Sequence, residues 1–153
     1  MTDVRVGVVD VYVIRIVGRA WRFLALQRGP NGRSDGSWET VHGRIEPGET
    51  PEVAARRELF EETGLRDERL YSITVNPFYL HQWGSVQLAV VFAAFVVEEQ
   101  ITIGIEHKSW EWLTIAQAAK RFTWPREVEA IGHIRKLLRT GNAGVVEDTL
   151  RVP

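Results

Sequence analysis

The chain has 153 residues, 44% of them hydrophobic and 25% charged, and no cysteine. That length bounds it to one domain able to bury roughly two-thirds of its unfolded surface, and the missing thiols exclude disulfides, thiolate nucleophiles and Cys-ligated zinc. A formal net charge of -1 excludes broad electrostatic attraction to nucleic acid or anionic membranes, so any phosphate contact must be local.

The first stretch, VRVGVVDVYVIRI, is β-branched and alternating, and predicts a long strand. Asp10 and Arg15 interrupt it and no basic lead precedes it, so it does not read as a signal peptide. No apolar run approaches the ~20 residues of a membrane span, and a cytoplasmic protein is the expectation. Val17 to Ala20 supplies a turn into a second strand, WRFLALQR, making a hairpin. PNGRSDGS, residues 30–37, reads as an exposed loop before a short strand around SWETVHG. Thr50-Pro51-Glu52 opens a helix with a hydroxyl cap, a first-turn proline and an early acid, and Gly64 closes it. RLYSITVNPFYLHQW and SVQLAVVFAAFVV then give two strands parted near Trp83-Gly84-Ser85, followed by a short strand around KSWEWL. Thr114 caps a short helix, a longer one runs from about Arg126 to Leu138, and the tail 141–153 is expected to be loosely held. The sum is one α/β (α+β) domain, residues 1–140, with a C-terminal tail.

Within the first helix Glu58, Glu61 and Glu62 place three carboxylates in five positions just before the helix ends. Like charges three or four apart repel, and anions near a helix C-terminus oppose its macrodipole. At 100° per residue the three share one arc of about 100°, with Ala54 and Ala55 nearest on the preceding turn, while Val53 and Phe60 point to the opposite side as candidates for the core. The plain alternative is a solvated acidic face; an oxygen-rich cluster of this kind also suits a hard cation such as Mg²⁺, which takes a few carboxylates and fills its remaining positions with water and substrate phosphates.

From Gly43 the chain reads GRIEPGETPEVAARRELFEETGL: Gly, five residues, Glu49, seven residues, Arg57-Glu58, an aliphatic, any residue, Glu61-Glu62, any residue, Gly64, Leu65. This resembles the Nudix box of the Nudix hydrolases at every defined position over 23 residues. The resemblance implies an α/β/α sandwich around a mixed sheet, with the box as loop-helix-loop, and hydrolysis of a nucleoside diphosphate linked to another group, assisted by Mg²⁺ or Mn²⁺. It implies metal ligation by Glu61, Glu62 and Glu58, the last also a candidate base. Arg57 would orient a box carboxylate, Glu49, and the Gly43 carbonyl would complete the shell, while Gly64 is structural. Glu106, ahead of an EH…W pattern, would reach across to the metals, the alternative being an exposed loop acid. His42, where the family often has Gly, and His107 read as structural or solvent-facing, because no other His sits at ligand spacing.

Substrate selection must come from elsewhere. Arg28 is a candidate phosphate contact, the alternative being a solubilising surface charge, and Trp38, Tyr79, Trp83 and Trp124 sit at strand ends or loops where an aromatic can stack on a base, the alternative for each being core packing. Trp110 and Trp112 read as sheet residues, as does Glu111 between them, facing outward. LQR before a long loop, SWETVHGRIEPGE, EHKSWEWL and WPRE are similar to the branch acting on nucleoside triphosphates and dihydroneopterin triphosphate, with dinucleoside polyphosphates second. Leu80 stands where ADP-ribose enzymes of the family carry proline. The expected partner is a small nucleotide bound to a monomer or homodimer, without stable nucleic-acid binding. A Nudix-fold binding domain without catalysis is the alternative of another class; such domains usually carry a damaged box, and this box is intact.

Overall fold

The β-branched N-terminal run forms β1 (Asp3–Val17), which turns through Gly18 at φ 64° into β2 (Ala20–Arg28). The computed structural model describes residues 1–153 and continues with β3 (Trp38–Glu39), β4 (Val41–Arg44), α1 (Pro51–Thr63), β5 (Arg69–Leu80), β6 (Ser85–Phe95), β7 (His107–Leu113), α2 (Ile115–Arg121) and α3 (Pro125–Leu138). The seven strands make one mixed sheet: β1 runs parallel to β6, and the pairs β1–β2, β1–β4, β2–β3, β2–β7 and β5–β6 are antiparallel. No helix is long and apolar enough to cross a membrane.

Alternation along β1 gives the sheet two apolar faces. Val9, Val11 and Val13 pack with Leu24, Leu26 and the α1 residues Ala54, Ala55 and Leu59. Tyr12 and Ile14 pack with Phe23 and, from the helical layer opposite, Ala118, Ile131, Ile134 and Leu138. The result is the α/β/α sandwich.

Three details differ from the sequence reading, each for a local reason. The single strand expected around SWETVHG divides at Thr40, with β3 paired to β2 and β4 to β1. Thr40 directs its N–H to the Glu127 carboxylate at 2.6 Å and its hydroxyl to the Val11 carbonyl at 2.5 Å, so it leaves the ladder. Val53 and Phe60 do not enter the core; they are 52% and 45% exposed. The inward face of α1 is Ala54, Ala55, Leu59, Glu62 and Thr63, small enough for the helix to lie close to the sheet. Phe60 is instead covered by the Arg66 guanidinium, 4.4 Å from its ring centre. The tail is tied down: a 3-10 turn (Gly144–Val146) and a short helix, α4 (Glu147–Leu150), follow α3. Ala143 is buried, Glu147 accepts from Tyr71 Oη at 2.7 Å, and the Val152 N–H reaches the Leu70 carbonyl.

Candidate active site

Helix α1 is built to present its last turn at a fixed place. Thr50 accepts from the Val53 N–H at the start, and Gly64 ends the helix at φ 76°, its N–H on the Phe60 carbonyl. A left-handed residue is needed there, which is why glycine occupies it. Arg57 then fastens the box loop to the helix. Its Nε and Nη2 donate to the two Glu49 oxygens at 2.7 and 2.8 Å, and Nη2 also reaches the Arg44 carbonyl at 2.8 Å. This two-pronged pair holds the Glu49 carboxyl down at about 2. The remaining Arg57 nitrogen, Nη1, donates to Glu58 at 2.9 Å and Glu61 at 3.2 Å.

β4 closes over the carboxylates with its backbone. The His42 N–H donates to Glu62 Oε2 at 3.2 Å. One residue on, a Cβ placed on Gly43 would stand 2.0 Å from the Glu58 carboxyl carbon, so only glycine lets Glu58 lie against the strand. Burial, and then repulsion from Glu58, push the Glu62 carboxyl well above its ordinary range, while Glu58 is raised by burial in spite of Arg57.

Glu58, Glu61 and Glu62 line a cavity of about 310 Å³ together with Gly104, Ile105, Glu106 and His107. Glu106 thus comes from 44 positions beyond Glu62 to face the same space. His107 Nε2 lies 3.7 Å from Glu62, and burial, followed by the charge of Arg28, lowers its pKa. The carboxylates surround the cavity without converging on one point, and no three acidic or histidine side chains gather at metal-holding distance. The physical reason is Arg57, which draws Glu58 and Glu61 onto its own guanidinium. Glu61, 56% exposed, is free to rotate away.

A second, larger cavity of about 650 Å³ opens on the opposite side of β4, between β5 and the start of α3. Phe78, Tyr79, Trp83 and Trp124 give it aromatic walls, with Arg33, His42 and Arg126 among its polar lining. Arg126 stacks 4.5 Å from the centre of Phe78, and Arg44 4.9 Å from that of Trp83. Buried acids stand behind these cations. Asp10 takes His42 Nδ1 at 2.5 Å and Arg126 Nε at 3.3 Å. Glu39 takes Arg33 at 2.8 and 2.9 Å and Trp124 Nε1 at 2.6 Å. Burial alone would raise Asp10, but His42 and Arg126 outweigh it and hold the carboxyl below its usual range. His42 therefore links the two cavities: its ring lines the aromatic one, and its N–H holds Glu62, which lines the other.

Two candidate substrate contacts are not brought here. Trp38 packs against the core beneath α2, with Arg121 4.7 Å over its ring, because its N–H is fixed to Thr123 Oγ1. Arg28 is 11% exposed and directs Nε to the Arg33 carbonyl at 3.1 Å and Nη1 towards Glu106 at 3.7 Å. Buried against the loop and facing Glu106, it supports both from within the protein. Sequence reasoning gave no role to Asp10, Glu39, Arg126, Glu127 or Phe78: Asp10 stood out only as a lone acid in an apolar strand, and Glu39, Arg126 and Glu127 only within SWETVHGRIEPGE and WPRE.

The NUDIX domain family model matches residues 4–131, a segment that holds both cavities. Among curated proteins, an octanoyltransferase of Myxococcus xanthus is 34% identical over 116 residues, 74% of this chain and 32% of that protein. The RNA pyrophosphohydrolase of Yersinia enterocolitica is 55% identical over 42 residues, 26% of this chain and 24% of that protein. The chain thus spans about a third or less of the length of these relatives. Among solved structures, a Caenorhabditis elegans Ap4A hydrolase binary complex superposes with a TM-score of 0.75 at 20% identity, covering 87% of this chain and 97% of that one. The NUDIX domain of Shewanella oneidensis NrtR, complexed with ADP ribose, gives 0.73 at 18% identity over 90% and 89%. With the family model spanning most of its length and the box intact on α1, the chain belongs to the NUDIX family.

Proposed function

We propose that this chain is a pyrophosphohydrolase that cuts a nucleoside or pterin triphosphate to its monophosphate and pyrophosphate, using Mg²⁺ or Mn²⁺. The observation that carries the reading is the pairing of the two cavities through His42, one side lined by four carboxylates and the other by aromatic rings. A flat heterocycle suits the aromatic walls, and its phosphate chain would pass the end of β4 towards α1.

The residues fit a divalent cation by donor chemistry: Glu58, Glu61, Glu62 and Glu106 are hard oxygen donors around one space, and the bare Gly43 backbone cradles Glu58. A bound cation supplies charge neutralisation of the diphosphate and a lowered pKa for water. The protein's own contribution is positional. Arg57 and the His42 N–H hold the carboxylates in place, Glu61 would turn from Arg57 into the cavity, and Glu58 or Glu62, by its position on the cavity wall, would take a proton from water. Arg126 and Arg33, each backed by a buried acid, keep a cationic rim without closing the cavity.

A second reading, dinucleoside polyphosphate hydrolysis, draws on the fold shared with the C. elegans Ap4A hydrolase. The Yersinia match covers too little of either chain to favour an RNA substrate, and the match to the octanoyltransferase covers only 32% of that protein, too little to carry octanoyl transfer over. Incubation of the purified protein with Mg²⁺ and a panel of triphosphates and dinucleoside tetraphosphates, with chromatography of the products, separates the two. The expected outcome is pyrophosphate release from a triphosphate at least about tenfold faster in kcat/KM, a difference of ~1.4 kcal/mol. A tetraphosphate cut asymmetrically and faster would favour the second reading.

A further inference from the structure

Far from both cavities, the β1–β2 turn and the second half of α3 enclose a concavity of about 600 Å³ lined by Arg19, Trp21, Ile115, Gly132, Arg135, Lys136 and Arg139. Arg126 and Arg139 mark the two ends of α3, about 20 Å apart at 1.5 Å per residue, so this concavity lies at the opposite end of the helix from the aromatic one. We propose that it is a second binding site, for a chain of linked phosphates, either a free oligophosphate or the tail of a nucleoside polyphosphate.

Three observations converge. The lining holds four cations and no carboxylate, in a protein whose net charge is -1. None of the four takes part in an ion pair or a side-chain hydrogen bond; Arg44, Arg66 and Lys120 elsewhere share that condition singly, but here four such cations face one concavity. The macrodipole accounts for positive residues in the last turns of α3. It does not account for Arg19, which comes from a hairpin turn more than a hundred residues earlier and meets them across the concavity.

Gly132 supplies the third observation. It sits inside α3, where glycine weakens a helix relative to alanine, yet its φ is ordinary and a Cβ added to it would meet nothing within 4 Å. No packing inside the protein asks for glycine there. The position forms a bare floor between Trp21 and the cations, where a ligand can approach the helix backbone. Arg forks match phosphate oxygens in pairs, the half-buried Trp21 adds an apolar wall, and the volume is that of a small-molecule site. A nucleic-acid strand would need an extended basic track, which the near-neutral charge of the chain does not supply.

Calorimetric titration of the full chain with inorganic tripolyphosphate, in EDTA to suppress cation-assisted binding at the carboxylates, tests the site. One-to-one saturable binding is expected, weakened at least tenfold by Arg135→Glu with Arg139→Glu and again by Gly132→Leu, but unchanged by Trp83→Ala in the aromatic cavity. Gly132, Arg135 and Arg139 are exposed, so the melting temperatures of the variants at these positions should stay close to that of the wild type. A parallel titration with a nucleoside triphosphate distinguishes the sources: tighter binding that Trp21→Ala reverses indicates the nucleotide, and equal binding indicates the phosphate chain alone. Absence of saturable binding, binding untouched by both sets of variants, or binding lost only in Trp83→Ala would overturn the proposal. None of these outcomes depends on whether the carboxylate cavity hydrolyses anything.

Discussion

Helices α1 and α3 lie on opposite faces of the same sheet, and each turns one glutamate inward: Glu62 is 9% exposed and Glu127 1%. The settings differ. α3 buries Ala130, Ile131, Ile134 and Leu138 beside its glutamate, so Glu127 is embedded in ordinary packing, with one oxygen on the Thr40 N–H and the other without a partner. α1 buries little besides Ala54, Ala55 and Leu59, and its Glu62 opens with Glu58 and Glu61 onto a cavity. Both glutamates have other acids nearby, Asp10 and Glu39 in the case of Glu127, so the difference lies in access: Glu127 is closed off by packing and holds Thr40, whereas Glu62 and its neighbours open onto a cavity.

The largest expected effect separates the two. Glu61→Gln and Glu62→Gln should each lower kcat roughly a hundredfold or more, the scale of lost electrostatic stabilisation. Steady-state rates will read this, and melting curves of the metal-free protein should show neither variant below the wild type, since Glu61 is more than half exposed and the charged form of Glu62 is disfavoured by burial and by Glu58. If Glu127→Gln produced the same kinetic loss, the division between the helices would fail.

Aromatic residues divide in the same way. Trp38→Ala should cost about 2 kcal/mol of stability through lost packing, seen by denaturant unfolding, and leave KM unaltered. Trp83→Ala should raise KM about tenfold, within the range of one stacking contact, with a smaller change in kcat because stacking is made equally in ground and transition states. The reverse pattern would exchange their roles.

A smaller effect follows from pH. Burial, then the charge of Asp10, pushes the Glu127 carboxyl well above its ordinary range. Between the unfolded pKa and that raised value the folded protein holds a proton the unfolded chain has released, so this group's contribution to stability declines as pH rises through the window. Glu127→Gln keeps an acceptor for Thr40 and should flatten the decline in melting temperature above about pH 4.5, the ordinary carboxyl region. The smallest effect is expected for Phe60→Ala, under about 1 kcal/mol, because the ring is half exposed and meets chiefly Arg66.

The sequence made α1 legible from both ends, since Thr50, Pro51 and Gly64 are local signals that depend on no tertiary contact. The strands were legible from their β-branched runs. Which way α1 faces was not, because apolar Val53 and Phe60 suggest a core side, and the carboxylates in fact share the inward face with alanines. Asp10, Glu39 and Glu127 lie far apart in the chain and meet only where β1, β3 and α3 come together, a proximity that no spacing encodes. The position of Trp38 depends on the split of β3 from β4 at Thr40, itself set by Glu127 87 residues away.

The central claim is that the carboxylate cavity hydrolyses a phosphoric anhydride with the help of a divalent cation. Its most direct test is pyrophosphate release by the wild-type protein across the triphosphate panel, in Mg²⁺ and again with the metal chelated by excess EDTA. Release of monophosphate and pyrophosphate in Mg²⁺, abolished by EDTA and faster at alkaline than at neutral pH, is the predicted result. Full turnover in EDTA, or no anhydride cleaved in any member of the panel, would contradict it.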